Sequence, residues 1–583
     1  MLSDNTIESI GKHGRKVAIF LICACVAWLC VSRLNAAVFQ ASVGGGNWSS
    51  ASTWTNGAVP STADTVLLTN TSGNVTIDVD TNCAALDCTG YTGVLAHVVG
   101  PTLRIYGNCT FSSAMTYAPE DGAVLILNGN GTLTTQNVKF SSLVLGNNTA
   151  VTIQLNGDVI ATNQIRFSGP SSSSRFMVKS SIPGTPRTIT SASISGLTEN
   201  CDFQDITSAG TANWNLSAIT GGSGDCGGNT GITFTPATTN YWRSFGAGAS
   251  VNWSTSTNWF TTSGGTTVSR VPLPQDTAVF DANSFTNSGH TVVQNMPRFG
   301  SMIWSGVQNN PTLTTSTAAS WFGDLQLDPN MTLTESSQVY TYEGRRSSTL
   351  ISAGKTWAKQ FTISAPGGTL SLGDAFTTSG AVYVPYGMVN FLGNSVTAET
   401  YYSTSTANTI ASNSIVTLTG PNNVLYGNLV FGITGNSSDT TNTQVIFTAN
   451  TSGLTLFYNP NRAFKKFTIK TLGSGTSKIA SSCKIDELLI YPGRTVLFSP
   501  AISVTNNAIT ALGTQASPIY IGSSAAGTYT INLTGGTLQN CDWLSITNCV
   551  FGTGSTNKSY VGKHSVDGGG NVNAVFSDSG TMF

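Results

Sequence analysis

The phrase "NCDFQDIT" at residues 200–207 returns as "NCDWLSIT" at 540–547, and each copy is followed by a glycine-rich tail, "GDCGGNTGITF" (224–234) and "SVDGGGNVNAVF" (565–576). The echo extends upstream. "NWSSASTW" (47–54) matches "NWSTSTNW" (252–259), and "VPSTADTVLL" (59–68) matches "VPLPQDTAVF" (271–280). "IYGNCTFSSAMT" (105–116) then matches "WFGDLQLDPNMT" (321–332). Between these fixed ends the copies differ in length: Gly107 to Cys201 is 94 residues, whereas Gly323 to Cys541 is 218. A closed globular core rarely absorbs 124 extra residues, but a solenoid does, because each added rung touches only its neighbours. At ~25 residues per rung the difference is about five rungs.

The local pattern agrees. "AVLILNGNGTLTT" (123–135) and "AVTIQLNGDVIAT" (150–162) alternate apolar and polar residues between Asn-Gly or Gly-Asn pairs. Period-two alternation reads as strands, and Asn and Gly tolerate tight corners. No helical period is sustained after the N-terminal apolar run. The fold expected is all-β, a right-handed parallel β-helix in two duplicated units, residues 38–237 and 238–583, with antiparallel sandwiches as the structural rival. The duplication predicts that Trp48 is equivalent to Trp253 and Asp202 to Asp542.

Residues 1–37 read as a signal peptide or signal anchor. Lys12, Arg15 and Lys16 precede the apolar run "VAIFLICACVAWLCV" (17–31), and small residues follow at Ala36 and Ala37. A secreted or cell-surface protein is therefore expected, touching a membrane only through this segment. Charged residues make up 9% of the chain, against roughly 25% in ordinary soluble proteins, and the net charge is −1. Such a balance gives no footing for nucleic acid.

The opening Trp pair, Val-Pro and Asp-x-Val resemble the start of the eight-conserved-glycine domain of extracellular proteins. The rungs and the "GGGN…F" tails resemble secreted bacterial and phage-encoded pectin-lyase-like β-helix proteins. The first resemblance implies a β-helix and, in some members, hyaluronan handling; both imply the fold more than any activity.

Candidate chemistry is sparse. Asp78 and Asp80 in "DVD" (78–80) would share one face of a strand, where they could bind a cation or work as a pair; a polar strand end is the plainer reading. No zinc-ligand spacing or nucleophile motif occurs. "GGSGD" (221–225) is similar to a calcium-binding nonapeptide, but its Asp falls one position early and it stands alone, so no cofactor is expected and calcium is the one ion weighed. Trp48, Trp54, Trp253 and Trp259 are glycan-binding candidates, since sugar C–H faces stack on aromatic rings; a cap over the first rung is the competing role. Eight cysteines lie beyond the N-terminal segment, an even number that favours disulfides in an exported chain, with Cys201–Cys226 and Cys541–Cys549 as the candidate pairs. The functional expectation is a structural or adhesive surface protein that binds glycans or other extracellular surfaces without catalysis. A polysaccharide-degrading β-helix enzyme and a phage-type tail fibre or spike are the alternatives.

Overall fold

A computed structural model describes residues 36–245, 248–335, 339–420, 429–431, 438–448, 454–457, 462–470, 476–533, 540–552 and 559–576. The proposed signal segment, apart from Ala36 and Ala37, lies outside the described residues. The chain is all-β, a parallel β-solenoid of about 20 turns. Among the described residues the only helical elements are two short 3-10 turns, Ala51–Thr53 and Ser256–Asn258. Among the described strands one pair runs antiparallel, Thr239–Trp242 against Trp259–Phe260, while the other paired strands run parallel.

The alternation seen in the sequence builds the core directly. Leu103, Leu125, Leu143, Ile165 and Ile194 stand in register on successive rungs. A second inward column is Val66, Leu86, Cys109, Leu133 and Leu155. Later in the chain Val416, Val445, Phe467, Leu488 and Ile509 repeat the device. A fully buried side chain of this kind contributes about 1.5–3 kcal/mol, and in a solenoid the gain accrues rung by rung.

The polar corners are tied by side chains that accept a backbone N–H from the next rung. Asn108 Oδ1 accepts from Thr132 N at 2.9 Å and Asn130 Oδ1 from Thr152 N at 2.8 Å. Asp158 and Asp324 do the same for Thr188 and Thr349, both at 2.8 Å. These bonds satisfy donors at the places where the ladder is interrupted.

The sheets fall into two sets. Strands from Val38 to Asp225 form nine-, four- and seven-stranded sheets, and strands from Thr239 onward form 20-, four- and 11-stranded sheets with a short terminal pair. No described strand pairs across the two sets, which we call the N-terminal and C-terminal stacks. Among the described residues, the longer middle of the second copy carries parallel strands between Thr332 and Leu533.

The opening ends of the two stacks match in detail. Trp54 Nε1 donates to Trp48 O at 2.9 Å, and Trp259 Nε1 to Trp253 O at 2.7 Å. Their ring centroids lie 4.9 and 5.0 Å apart. Asp64 accepts from Ser61 N and Ala37 N; Asp276 accepts from Leu273 N and Thr238 N.

The closing ends also match, but three residues away from the register the repeated phrase suggests. Asn229 Nδ2 donates to Phe203 O (2.8 Å) and its Oδ1 accepts from Ile206 N (3.0 Å). Asn571 makes the same clamp on Ile546 O (2.8 Å) and Cys549 N (2.9 Å). Asp225 and Asp567 each take the clamp amide and a glycine N–H, from Gly227 and Gly569. Phe203 is therefore equivalent to Ile546, Asp205 to Asn548, and Asp202 to Ser545. The expected pairing of Asp202 with Asp542 is corrected: Asp202 is fully buried, whereas Asp542 sits half-exposed at a corner. Backbone ladders set the register, and the shared letters "NCD" are offset from it.

Candidate functional site

The four candidate tryptophans do not form a sugar platform. Trp48, Trp253 and Trp259 are fully buried and Trp54 is 2% exposed. Each pair closes the first rung of its stack, with Trp253 packed on Phe280 and Phe299. A sugar ring needs an open aromatic face, so the capping role replaces the glycan-binding one.

Asp78 and Asp80 are not paired on a strand face either. The strand Val75–Ile77 ends before them, and they flank a bend. Asp78 accepts from Ser49 N (3.0 Å) and Ser49 Oγ (2.5 Å), pinning the Trp48 turn. Burial pushes its pKa up, but the hydrogen bonds from Ser49 outweigh this and hold the carboxyl below its ordinary value. Asp80 Oδ1 accepts from Thr102 N at 2.7 Å, one of the corner ties described above. Each carboxylate is thus committed to a separate backbone contact.

The cysteines are free thiols, and all eight beyond the N-terminal segment are buried. The expected disulfides are corrected by where the side chains point. Cys201 stands beside Phe176 in the inner column, while Cys226 lies outside the stack in a cluster with Met177 and Phe322. Cys541 follows Ala511 in its column and Cys549 follows Tyr529. Burial pushes both of these thiols up to about 12, so they pack as small apolar groups rather than react. The "GGSGD" stretch is the strand Thr220–Asp225 with its clamp, and among the described residues no cluster of three or more metal-ligating side chains occurs.

A cluster of buried charges lies instead where the two stacks meet. Asp202 accepts from Arg175 Nε at 2.7 Å and from Arg298 Nε at 2.8 Å. Arg175 also donates to the carbonyls of Cys201, Gly221 and Gly222. Arg298 reaches across the junction a second time, to Arg175 O at 2.9 Å. Arg345 grips Asp205 with two nitrogens, at 3.0 and 2.7 Å. Lys179 lies 3.4 Å from Glu343, and Gln204 Nε2 donates to Glu343 O at 3.1 Å. The apolar cluster of Met177, Cys226 and Phe322 fills the space between.

Asp225 N donates across the seam as well, to Gln275 Oε1 at 2.9 Å. Gly184 lies against Pro366, so close that a methyl group there would come within 2.6 Å of the proline Cβ. The seam thus engages several rungs of each stack: Arg298 meets both Arg175 and Asp202, and Arg345 meets Asp205 and lies against Gly227.

Two clefts border the junction. One, of about 240 Å³, is lined by Asp225, Cys226, Phe322, Arg345 and Arg346 among others. The second, of about 410 Å³, presents the hydroxyl residues Ser172, Ser217, Thr235, Ser256 and Ser269 beside Arg270. Hydrolysis of a glycoside by paired carboxyl groups requires two of them some ~6.5–9.5 Å apart for inversion. The first cleft's lining holds a single carboxylate, Asp225, already engaged by Gly227 N and Asn229 Nδ2. Sequence reasoning missed the junction because its charged partners lie 96 to 164 positions apart and follow no period. Its one readable trace was the presence of two aspartates in "NCDFQDIT" where "NCDWLSIT" has one. No family model, curated protein or solved structure matches the chain.

Proposed function

We propose that this chain is a secreted or surface-held structural and adhesive β-solenoid, whose ligands are glycans or other extracellular surfaces, and that it has no catalytic activity of its own. The observation that carries this reading is how the carboxylates are used. Asp78 and Asp80 tie backbone corners, Asp202 and Asp205 join the two stacks, and Asp225 and Asp567 hold the closing clamps. Catalytic carboxyl groups need to converge on one substrate atom with tuned pKa values. These are dispersed and serve structural contacts, which suits a scaffold. The sparse charge and the Ser, Thr and Asn of the outer positions suit neutral, hydroxyl-rich partners.

The test incubates purified residues 38–583 with acidic and neutral polysaccharides, with and without calcium, and separately measures adhesion to polysaccharide-coated and matrix-coated surfaces. Adhesion without new reducing ends or unsaturated products is the expected result. Turnover that survives purification and disappears in an Asp78→Ala, Asp80→Ala double variant overturns the non-catalytic reading. Failure to adhere to every surface overturns the adhesive one.

A further inference from the structure

Late in the C-terminal stack, one corner lines up charged, aromatic and apolar side chains on successive rungs. The register Ile469, Ile490, Ala511, Cys541 places the next residues, Lys470, Tyr491, Leu512 and Asp542, one above another on four successive rungs. Lys470 Nζ lies 5.6 Å from the Tyr491 ring centroid, and Leu512 is 50% exposed. Beyond Asp542 comes Trp543, stacked on His564 of the following rung with ring centroids 4.8 Å apart and planes at 16°. His564 Nδ1 lies 3.2 Å from Asp542 Oδ1. The side chains of His564 and Asp542 are 43% and 32% exposed.

This corner has an internal control. By the closing-clamp register, Trp543 occupies the place of Asn200, and His564 that of Gly222. Both residues keep the left-handed backbone of that place, with φ of 54° each, against 47° for Asn200 and 74° for Gly222. Asn and Gly adopt that conformation readily; a bulky side chain does so at a cost of about 1–3 kcal/mol. The C-terminal stack thus holds an aromatic pair in a strained position where the N-terminal stack uses the residues the backbone prefers. On the rung before Trp543 stands Gly513, whose N–H donates to Asp542 O at 2.9 Å and which contributes no side chain to cover the indole.

We infer that this corner is a binding strip for a neutral oligosaccharide chain, centred on Trp543. The inference rests on the adhesive reading and gives it a location. The indole offers an apolar face to a sugar ring, Asp542 and His564 offer hydrogen-bonding groups to its hydroxyls, and Tyr491 and Leu512 extend the apolar surface along the axis. At a rung spacing of about 4.8 Å the column from Lys470 to Asp542 runs roughly 14 Å, room for a short oligosaccharide. A lysine at one end and an aspartate at the other leave no net charge to select an ionic ligand.

The experiment uses the full chain in affinity gel electrophoresis with soluble β-glucan, xylan, galactomannan and dextran. The variants Trp543→Asn and His564→Gly restore the residues found at the equivalent corner of the other stack, so folding is protected, and thermal unfolding checks it. The expected result is retardation of the wild type by at least one polysaccharide, weakened about tenfold or more in Trp543→Asn. Unchanged retardation in Trp543→Asn overturns the strip while leaving the adhesive reading intact. Wild type that none of the four retards also overturns it, and the surface-adhesion assay above then decides the adhesive reading separately.

Discussion

Ser49 donates its N–H and its hydroxyl to Asp78, and at the matching turn Ser254 is held by Asn295 through the same two groups, its N–H donating to Oδ1 and its hydroxyl accepting from Nδ2. A neutral amide therefore does in one stack what a carboxylate does in the other, which defines the role of Asp78 as structural. Replacing Asp78 with Asn should leave stability at neutral pH within about 0.5 kcal/mol, the usual range for a compatible surface change. The acid side should differ. A carboxyl whose folded pKa is depressed contributes stability above its unfolded value, near 3.9, and loses that contribution as pH falls through the folded value. Thermal unfolding from pH 7 down to 2 should show the wild type losing more stability below about pH 4 than Asp78→Asn does. Parallel curves would remove the Ser49 bonds as the source of the shift.

At the scale of the element, the closing clamp is the most transferable unit in this chain. It consists of Asp-x-Gly-Gly-Asn, with the Asn side chain bridging a carbonyl and an N–H of the preceding rung. The second glycine is required twice over. Gly228 and Gly570 both have φ of 73°, and a Cβ at either would lie within 2.2 Å of the neighbouring Asp205 or Asn548 side-chain oxygen. Asn571→Ala should cost about 1–3 kcal/mol by leaving two backbone groups unpaired. Because solenoid stability is local, the cost should appear as faster hydrogen exchange around Cys549 and Val566–Asp567, with the rungs near Val416 unchanged. Uniformly faster exchange across the stack would contradict that locality.

For the molecule as a whole, the decisive feature is the charged seam. All the side-chain hydrogen bonds of Arg298 described above end on the other stack, at Asp202 and at Arg175 O. Removing one member of a buried ion group costs about 3–5 kcal/mol, since the remaining charges are left without compensation. A protease site inserted between Pro236 and Ala237, which are exposed, converts the seam into an intermolecular contact. After cutting, the two pieces should still co-elute in gel filtration. Arg298→Met should release them or weaken their association by at least about a hundredfold, the equivalent of roughly 3 kcal/mol. Pieces that separate without the substitution would show that the seam does not hold the stacks together.

Fold class was legible in the sequence because it depends on short-range pattern. Alternation within "AVLILNG" and corners at Asn and Gly dictate stacked strands, and matched ends around an unequal middle dictate a fold that grows by addition. The matched Trp pairs correctly announced equivalent first rungs. Their role was not legible, because an exposed and a buried tryptophan are the same letter and only the neighbours, Phe280 and Phe299 for Trp253, decide between them. The same holds for the cysteines: an even count says nothing of whether Cys201 and Cys226 face one side of a strand wall or opposite sides. The register of the closing phrase was misread because three shared letters carry less constraint than one ladder of backbone hydrogen bonds. The seam of Arg175, Asp202, Arg298, Asp205 and Arg345 belongs wholly to the tertiary structure. It joins rungs far apart in the chain, and charge pairing across a surface leaves no period in the sequence that forms it.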